Sequence, residues 1–301
     1  MKKAFIAFAA TALFGLSAAA QAQTADTLEK LKQTGEVTLG VRESSGLAYT
    51  IGAGKYVGFH TEMAERIVDD ISKKIGKPLK IKYLPITSAN RIPLVQNGTY
   101  DFECGSTTNN RSRAEEASFA YTTYVEEVRI AVKKDSGINS INDLNGKTVA
   151  TTTGTTSVQT LRRNQRAENI RFREMQGKDH ANSFILLESG RADAFVMDGS
   201  ILAANISKAK NPADFKILDE VLSVEPIACM LRKGDDNLKK EIDESIVRQV
   251  KDGSLEKLYN KWFLEPIPPA NVVVNLPLSA STRNAWDHPN DKPMEDYPEN
   301  K

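Results

Sequence analysis

Two stretches of this chain repeat one pattern. The run Leu94 to Phe102 (LVQNGTYDF) is echoed by the run Leu186 to Ala194 (LLESGRADA). Each reads as a helix end, a glycine stop and the start of a strand. The register holds beyond the echo. Ser106 stands eight residues after Gly98 and Asp198 eight after Gly190, while Ser88 lies six before Leu94 and His180 six before Leu186. Two similar α/β units would set equivalent strand ends and helix starts face to face. Ligands of open α/β sheets bind outside the carboxyl ends of the strands, so such a pair would enclose a cleft.

The surrounding sequence keeps the same rhythm. Leu28 to Gln33 reads as a short helix closed by Gly35, and Val37 to Val41 as a buried strand. Phe59, Met63, Ile67, Ile71 and Ile75 recur every four residues along one helical face that stops at Gly76, and Ile81 and Tyr83 then alternate as in a strand. This βαβα succession predicts an α/β fold with largely parallel strands and helices on both faces. Tyr124 to Val132 reads as an apolar crossing into the second unit, followed by a loop over Lys133 to Ser140; Ser223 to Met230 reads as the return. A helical face of Leu238, Ile242, Ile246 and Val250 follows, then a helix from Leu255 to Phe263 that ends before Pro266, Pro268 and Pro269. Beyond Asn271 the chain is rich in Pro, Asn, Asp and Ser with an isolated Trp286, which predicts an extended surface tail, in part disordered.

The first residues read as an address. Lys2 and Lys3 precede an apolar run from Ala4 to Leu16, and Ala20, Gln21 and Ala22 form a small-residue cleavage site, which predicts a secretion signal removed before Gln23. The run is shorter than the ~20 apolar residues a membrane span requires, and no cysteine follows the site to carry a lipid. Removing residues 1–22 takes away two cations, Lys2 and Lys3, and leaves 38 Lys+Arg against 39 Asp+Glu. That balance gives no reason to expect nucleic acid or an anionic surface as partner. Cys104 and Cys229 could pair in an oxidising compartment or remain as two buried thiols. They suggest neither cysteine catalysis nor a metal site, and no cofactor is expected.

Polar residues gather where the cleft would lie. Arg42 ends the first strand, Ser88 and Arg91 open the helix before Gly98, and Ser106 to Asn110 followed by Arg111 and Arg113 succeed the strand Asp101 to Cys104. Thr151 to Ser157, with Gly154 inside it, opens a further helix; His180 and Asp198 complete the set. Taken singly each has a plainer account: hydroxyls before helices cap them, arginines are solvated, and a histidine packs. Taken together, all fall on what would be the cleft side, and hydroxyls, amides, cations and one carboxylate are complementary to a single kind of ligand.

These segments also carry a resemblance. Val41 to Ser45, Ile86 to Ser88, Asn90 to Leu94 and above all Phe102 to Asn110 resemble the periplasmic glutamate/aspartate-binding proteins of ABC importers. Gly154 to Ser157, Lys178 to His180, Leu187 to Ala192, Cys229 to Lys233 and Ile267 to Pro269 continue the likeness over nearly the whole mature chain. It implies a two-lobed type II periplasmic binding protein fold with a hinge and an interlobe ligand cleft. The division would be 23–124 and 229–270 for one lobe, 125–228 for the other, and 271–301 for the tail. Implied too are L-glutamate or L-aspartate as ligand, an inner-membrane ABC permease as partner, the periplasm as location and a monomer as the working form. Arg42, Ser88, Arg91 and His180 would hold the side-chain carboxylate, with His180 binding better when protonated. Arg113, Thr108 and Thr156 would take the α-carboxylate, and Asp198 and Ser106 the α-ammonium. Arg111, five residues after Ser106, stands where related amino-acid binders place their carboxylate arginine, so Arg111 and Arg113 both stay open, with Arg113 preferred. Gly46 to Tyr56 departs from the family pattern and leaves the cleft rim undetermined. Other readings are a binder of glutamine or asparagine, which the extra cations Arg42 and Arg91 oppose; a dehydratase or lyase on the same scaffold, for which Glu103 and His180 are the acid and base at hand; and a ligand-reporting sensor.

Overall fold

The computed structural model describes residues 26–300, so the secretion signal expected at 1–22 lies outside it. The first lobe begins with α1 (Thr27–Thr34), β1 (Glu36–Val41), the hairpin β2 (Tyr49–Gly52) and β3 (Lys55–Val57), and α2 (Phe59–Ile75). It continues through β4 (Lys80–Pro85), α3 (Arg91–Gln96), β5 (Phe102–Glu103) and α4 (Arg111–Glu116). On α2, Phe59, Met63, Ile67 and Ile71 are buried, as their four-residue spacing requires, and the helix closes at Gly76 with φ 68°, a left-handed conformation that glycine adopts without strain.

The long strand β6 (Ala117–Lys133) then crosses into a second lobe made of β7 (Thr148–Thr152), α5 (Thr156–Ala167), β8 (Arg173–Gly177), α6 (His180–Glu188), β9 (Ala194–Asp198), α7 (Gly199–Ser207) and β10 (Phe215–Ile217). The chain returns along β11 (Ser223–Arg232) and adds α8 (Asp236–Lys251), α9 (Ser254–Phe263) and α10 (Ala280–Asp287) to the first lobe. The sheet order is β4-β1-β5-β11-β6-β9-β7-β8, with β10 beside β6. β1 runs parallel to β4 and β5, and β7 parallel to β8 and β9; the antiparallel pair β6 and β11 joins the two sets. The echo seen in sequence is the unit α3–β5 in one lobe and α6–β9 in the other, with Gly98 and Gly190 both at φ 74°.

Apolar packing divides along the crossing strands. Tyr124, Ile227 and Cys229 belong to the core of the first lobe, whereas Val128 and Leu222 belong to that of the second. Cys104 and Cys229 form a disulfide that ties β5 to β11.

The expectation of an extended surface tail is corrected. Residues 280–287 are helical, Trp286 is 2% exposed within the first core, and its indole N–H donates to the Thr123 carbonyl at 2.8 Å. Further on, the Asn290 carbonyl accepts from Thr122 N, the Met294 N–H donates to Asn109 O, and the Asn300 side chain bonds both N and O of Val224. The polar composition hid this because the tail satisfies backbone groups of the crossing strands and adds its few apolar side chains, Trp286 foremost and with it Leu276, Leu278 and Ala285, to cores shared with other segments.

Candidate binding site

The residues singled out at strand ends and helix starts meet between the lobes. Arg42, Ser88, Arg91, Ser106, Thr108, Arg113, Thr156, His180 and Asp198 are all buried. Arg111 is not among them: on the opposite side of α4 it is exposed and pairs with Asp296 at 2.6 Å. Local structure aims the rest. Asn110 caps α4 by accepting from Arg113 N at 2.8 Å, which turns Arg113 inward, and Asp179 caps α6 by accepting from Asn182 N at 2.9 Å, so that His180 heads the helix.

At one pole Arg42 Nη2 donates to Ser88 Oγ at 2.7 Å and to His180 Nε2 at 3.0 Å, joining the two lobes. A guanidinium only donates, so Nε2 must be the acceptor and His180 is neutral. Its Nδ1–H then points to Thr152 Oγ1 at 3.2 Å, and Thr152 passes its own proton to Ser183 Oγ at 2.8 Å. This corrects the expectation of an imidazolium: burial, then Arg42 and Arg91, hold His180 well below the usual histidine range. His180 orients Arg42 and has no proton left to offer a ligand. Arg91 Nη1 reaches the Ser106 carbonyl at 3.4 Å.

At the other pole Arg113 donates to Thr108 O at 3.0 Å and, across the gap, to Gly154 O at 3.3 Å. Thr108 and Thr156, one from each lobe, both donate to Glu225 Oε2, at 2.5 and 2.6 Å. Arg113 and Thr156 also line a cavity of about 430 Å³ at the cleft edge. The lobes touch closely around this space. A side chain on Gly154 would place its Cβ 2.7 Å from the Ser88 backbone, and one on Gly46 would come within 2.4 Å of the Ser200 carbonyl. On the rim, where the sequence left the family pattern, Lys208 Nζ of the second lobe lies 3.7 Å from the ring centre of Tyr49.

Several buried polar atoms of the residues gathered here have no hydrogen-bond partner among the described residues: Arg42 Nη1, Arg91 Nε, Glu103 Oε2, Ser106 Oγ and Asp198 Oδ1. Buried groups of this kind are costly when left unsatisfied, so they mark where a ligand would bond. Burial and the neighbouring Arg91 push Arg42 down to about 10 and Arg113 to about 9, which leaves both cationic at neutral pH. Asp198 is raised well above the usual carboxylate range by burial and by Glu126 and Glu225.

Glu225 and Glu126 escaped the sequence reading because both lie in strands that read as apolar crossings. A signal was present: each is a charged residue within a run otherwise fit for complete burial, and such residues are kept only with partners.

Residues 37–265 match the sequence profile of the bacterial extracellular solute-binding proteins, family 3. The chain belongs to that family. It is 43% identical to a glutamate/aspartate import solute-binding protein of Salmonella typhimurium, over 89% of either chain. It is 41% identical to the protein of the same description in Escherichia coli, over 95% of this chain and 98% of that one. Among solved structures, an ancestral arginine-binding protein bound to arginine superposes with a TM-score of 0.66 at 30% identity, covering 76% of this chain and 98% of that one. The fold is the two-lobed type II periplasmic binding fold. Family 3 proteins bind rather than catalyse, and the geometry of the acid and base considered above agrees with binding. Glu103 is buried and accepts from Thr107, and His180 is committed to Arg42.

Proposed function

We propose that this family 3 protein captures L-glutamate or L-aspartate in the periplasm and delivers it to an inner-membrane ABC permease. One observation carries the reading. The buried guanidinium groups of Arg42, Arg91 and Arg113 and the buried carboxyl of Asp198 converge between the lobes, and the unpartnered atoms among these residues and Ser106, namely Arg42 Nη1, Arg91 Nε, Ser106 Oγ and Asp198 Oδ1, suit a carboxylate and an ammonium. Arg42, Ser88 and Arg91, with His180 fixing Arg42, receive the side-chain carboxylate. Arg113 receives the α-carboxylate, joined by Thr108 and Thr156 when their hydroxyls turn from Glu225; Asp198 and Ser106 receive the ammonium. The two moving units are 23–124 with 229–270, and 125–228, and the names of the relatives support the ligand class.

Calorimetric titration of the mature protein, freed of carried ligand by refolding, against glutamate, aspartate, glutamine and asparagine tests this. An amide offers one acceptor and turns its NH₂ toward guanidinium donors, leaving a buried cation partly unpaired, at a cost of about 2 kcal/mol or more. The acids should therefore bind at least ~30-fold more tightly than the amides. Equal affinity for glutamate and glutamine would overturn the assignment.

A further inference from the structure

The ammonium pole is larger than Asp198. Glu225 on β11 stands directly opposite Glu126 on β6, and Asp198 on β9 stands opposite Val128, two residues along β6 from Glu126. Because strand side chains alternate, the three carboxylates share one face of the sheet across its hinge strands. All three are buried. Direct cross-strand partners have Cβ atoms only about 4.5–5.5 Å apart, and like charges so placed repel.

Their hydrogen bonds are unequal. Both oxygens of Glu126 accept from Ser200, one from its hydroxyl and one from its N–H at 3.3 Å. Glu225 accepts from Thr108 and Thr156 on one oxygen and from Ser223 Oγ at 3.0 Å on the other. Asp198 Oδ1 accepts from no described residue. Both oxygens of each glutamate are thus engaged, whereas Asp198 keeps one oxygen unpartnered. Arg91, Arg113 and Arg42 face the ladder from the first lobe, and Tyr124 and Tyr259 adjoin Glu126 as neutral phenols. Glu103 offsets part of the arginine charge. Glu126 also lines a cavity of about 260 Å³ behind the hinge, together with Ser200, Glu127, Arg129, Leu276 and Ser279.

We infer that burial in this ladder of carboxyls holds Asp198 as the neutral acid until the ligand's ammonium arrives, and that binding exchanges this proton for the ammonium. The O–H bond of Asp198 breaks, its electron pair stays on the carboxylate that meets the ammonium, and the proton passes to solvent. This rests on the proposed ligand reading. It adds Glu126 and Glu225 to the ammonium pole as positioning residues.

Two measurements test it separately from that reading. Infrared difference spectra of the unliganded protein at neutral pH should show a carboxylic-acid band that Asp198→Asn removes. Absence of the band overturns the inference whether or not glutamate binds. Calorimetry of the native protein with glutamate, in buffers of different ionisation enthalpy at pH 7, should show release of close to one proton per ligand. Glutamate binding with a buffer-independent heat overturns the inference and leaves the ligand assignment standing; absence of binding with the band present overturns the ligand assignment instead.

Discussion

At the scale of single residues, the proposed site divides its cations between the two ends of one small ligand. Arg91→Ala should erase most of the preference for glutamate over glutamine, whereas Arg113→Ala should weaken both alike, because both carry an α-carboxylate. Titrating each variant with the two ligands checks this, and loss of acid preference in Arg113→Ala alone would mean that the ligand lies the other way round. His180 makes a separate prediction. Since its Nε2 accepts from Arg42 and its Nδ1–H is spent on Thr152, ring nitrogen shifts should report a neutral imidazole from pH 5.5 to about 8.5, the span in which a free histidine titrates, with glutamate absent or present. His180→Ala should weaken glutamate binding by about 1–3 kcal/mol through loss of the group that aims Arg42. The histidine's place at a helix start was legible in the sequence, but its hydrogen bonds were not. Position names a neighbour, whereas the direction of a hydrogen bond depends on which donor faces which ring nitrogen.

At the scale of elements, the crossing strands β6 and β11 join the lobes and carry buried charge. Glu126 is pushed up to about 8, chiefly by burial and further by Glu225, and Asp198 is raised as well. A carboxyl whose folded value is raised contributes stability below its unfolded value and loses it as pH climbs through the folded one. The unliganded protein should therefore lose stability between about pH 4.5 and 8, and glutamate should restore more of it at the upper end; thermal melts across that range check both. Closure should depend on the rim as well. Lys208→Met removes a contact between Lys208 and Tyr49 worth about 0.5–2 kcal/mol, and it should weaken binding by that much without touching the ligand, as titration would show. Gly154→Ala, strained at φ 79° and in collision with the Ser88 backbone, should hold the lobes apart and lower affinity more steeply than stability. The helices and strands were legible because apolar spacing declares them, as on α2, and the echo around Gly98 and Gly190 announced two lobes. The hinge was legible only as a crossing, since Glu126 and Glu225 break the apolar pattern without revealing that they stand side by side. Pairing between strands far apart in sequence leaves no local trace.

At the scale of the whole molecule, two lobes closing on a ligand should reduce the radius of gyration and raise the melting temperature, because the ligand binds only the folded form. Small-angle scattering that showed no compaction at saturating glutamate would count against the hinge. Trp286→Ala should cost about 3–5 kcal/mol, as for other buried aromatics, and denaturant unfolding would measure it. The tail that this tryptophan anchors was read from sequence as loose because its composition is polar, yet its bonds go to Asn109, Thr122, Thr123 and Val224, on the first lobe and the pivot strands. That attachment bears on how the protein can be watched at work. A fluorescent dye beside Asn300 sits over the pivot, where displacement during closing is least, and would stay silent. Energy transfer between a dye on the first lobe, at the exposed Lys73, and one at the exposed Ile185 of the second would follow each opening and closing directly.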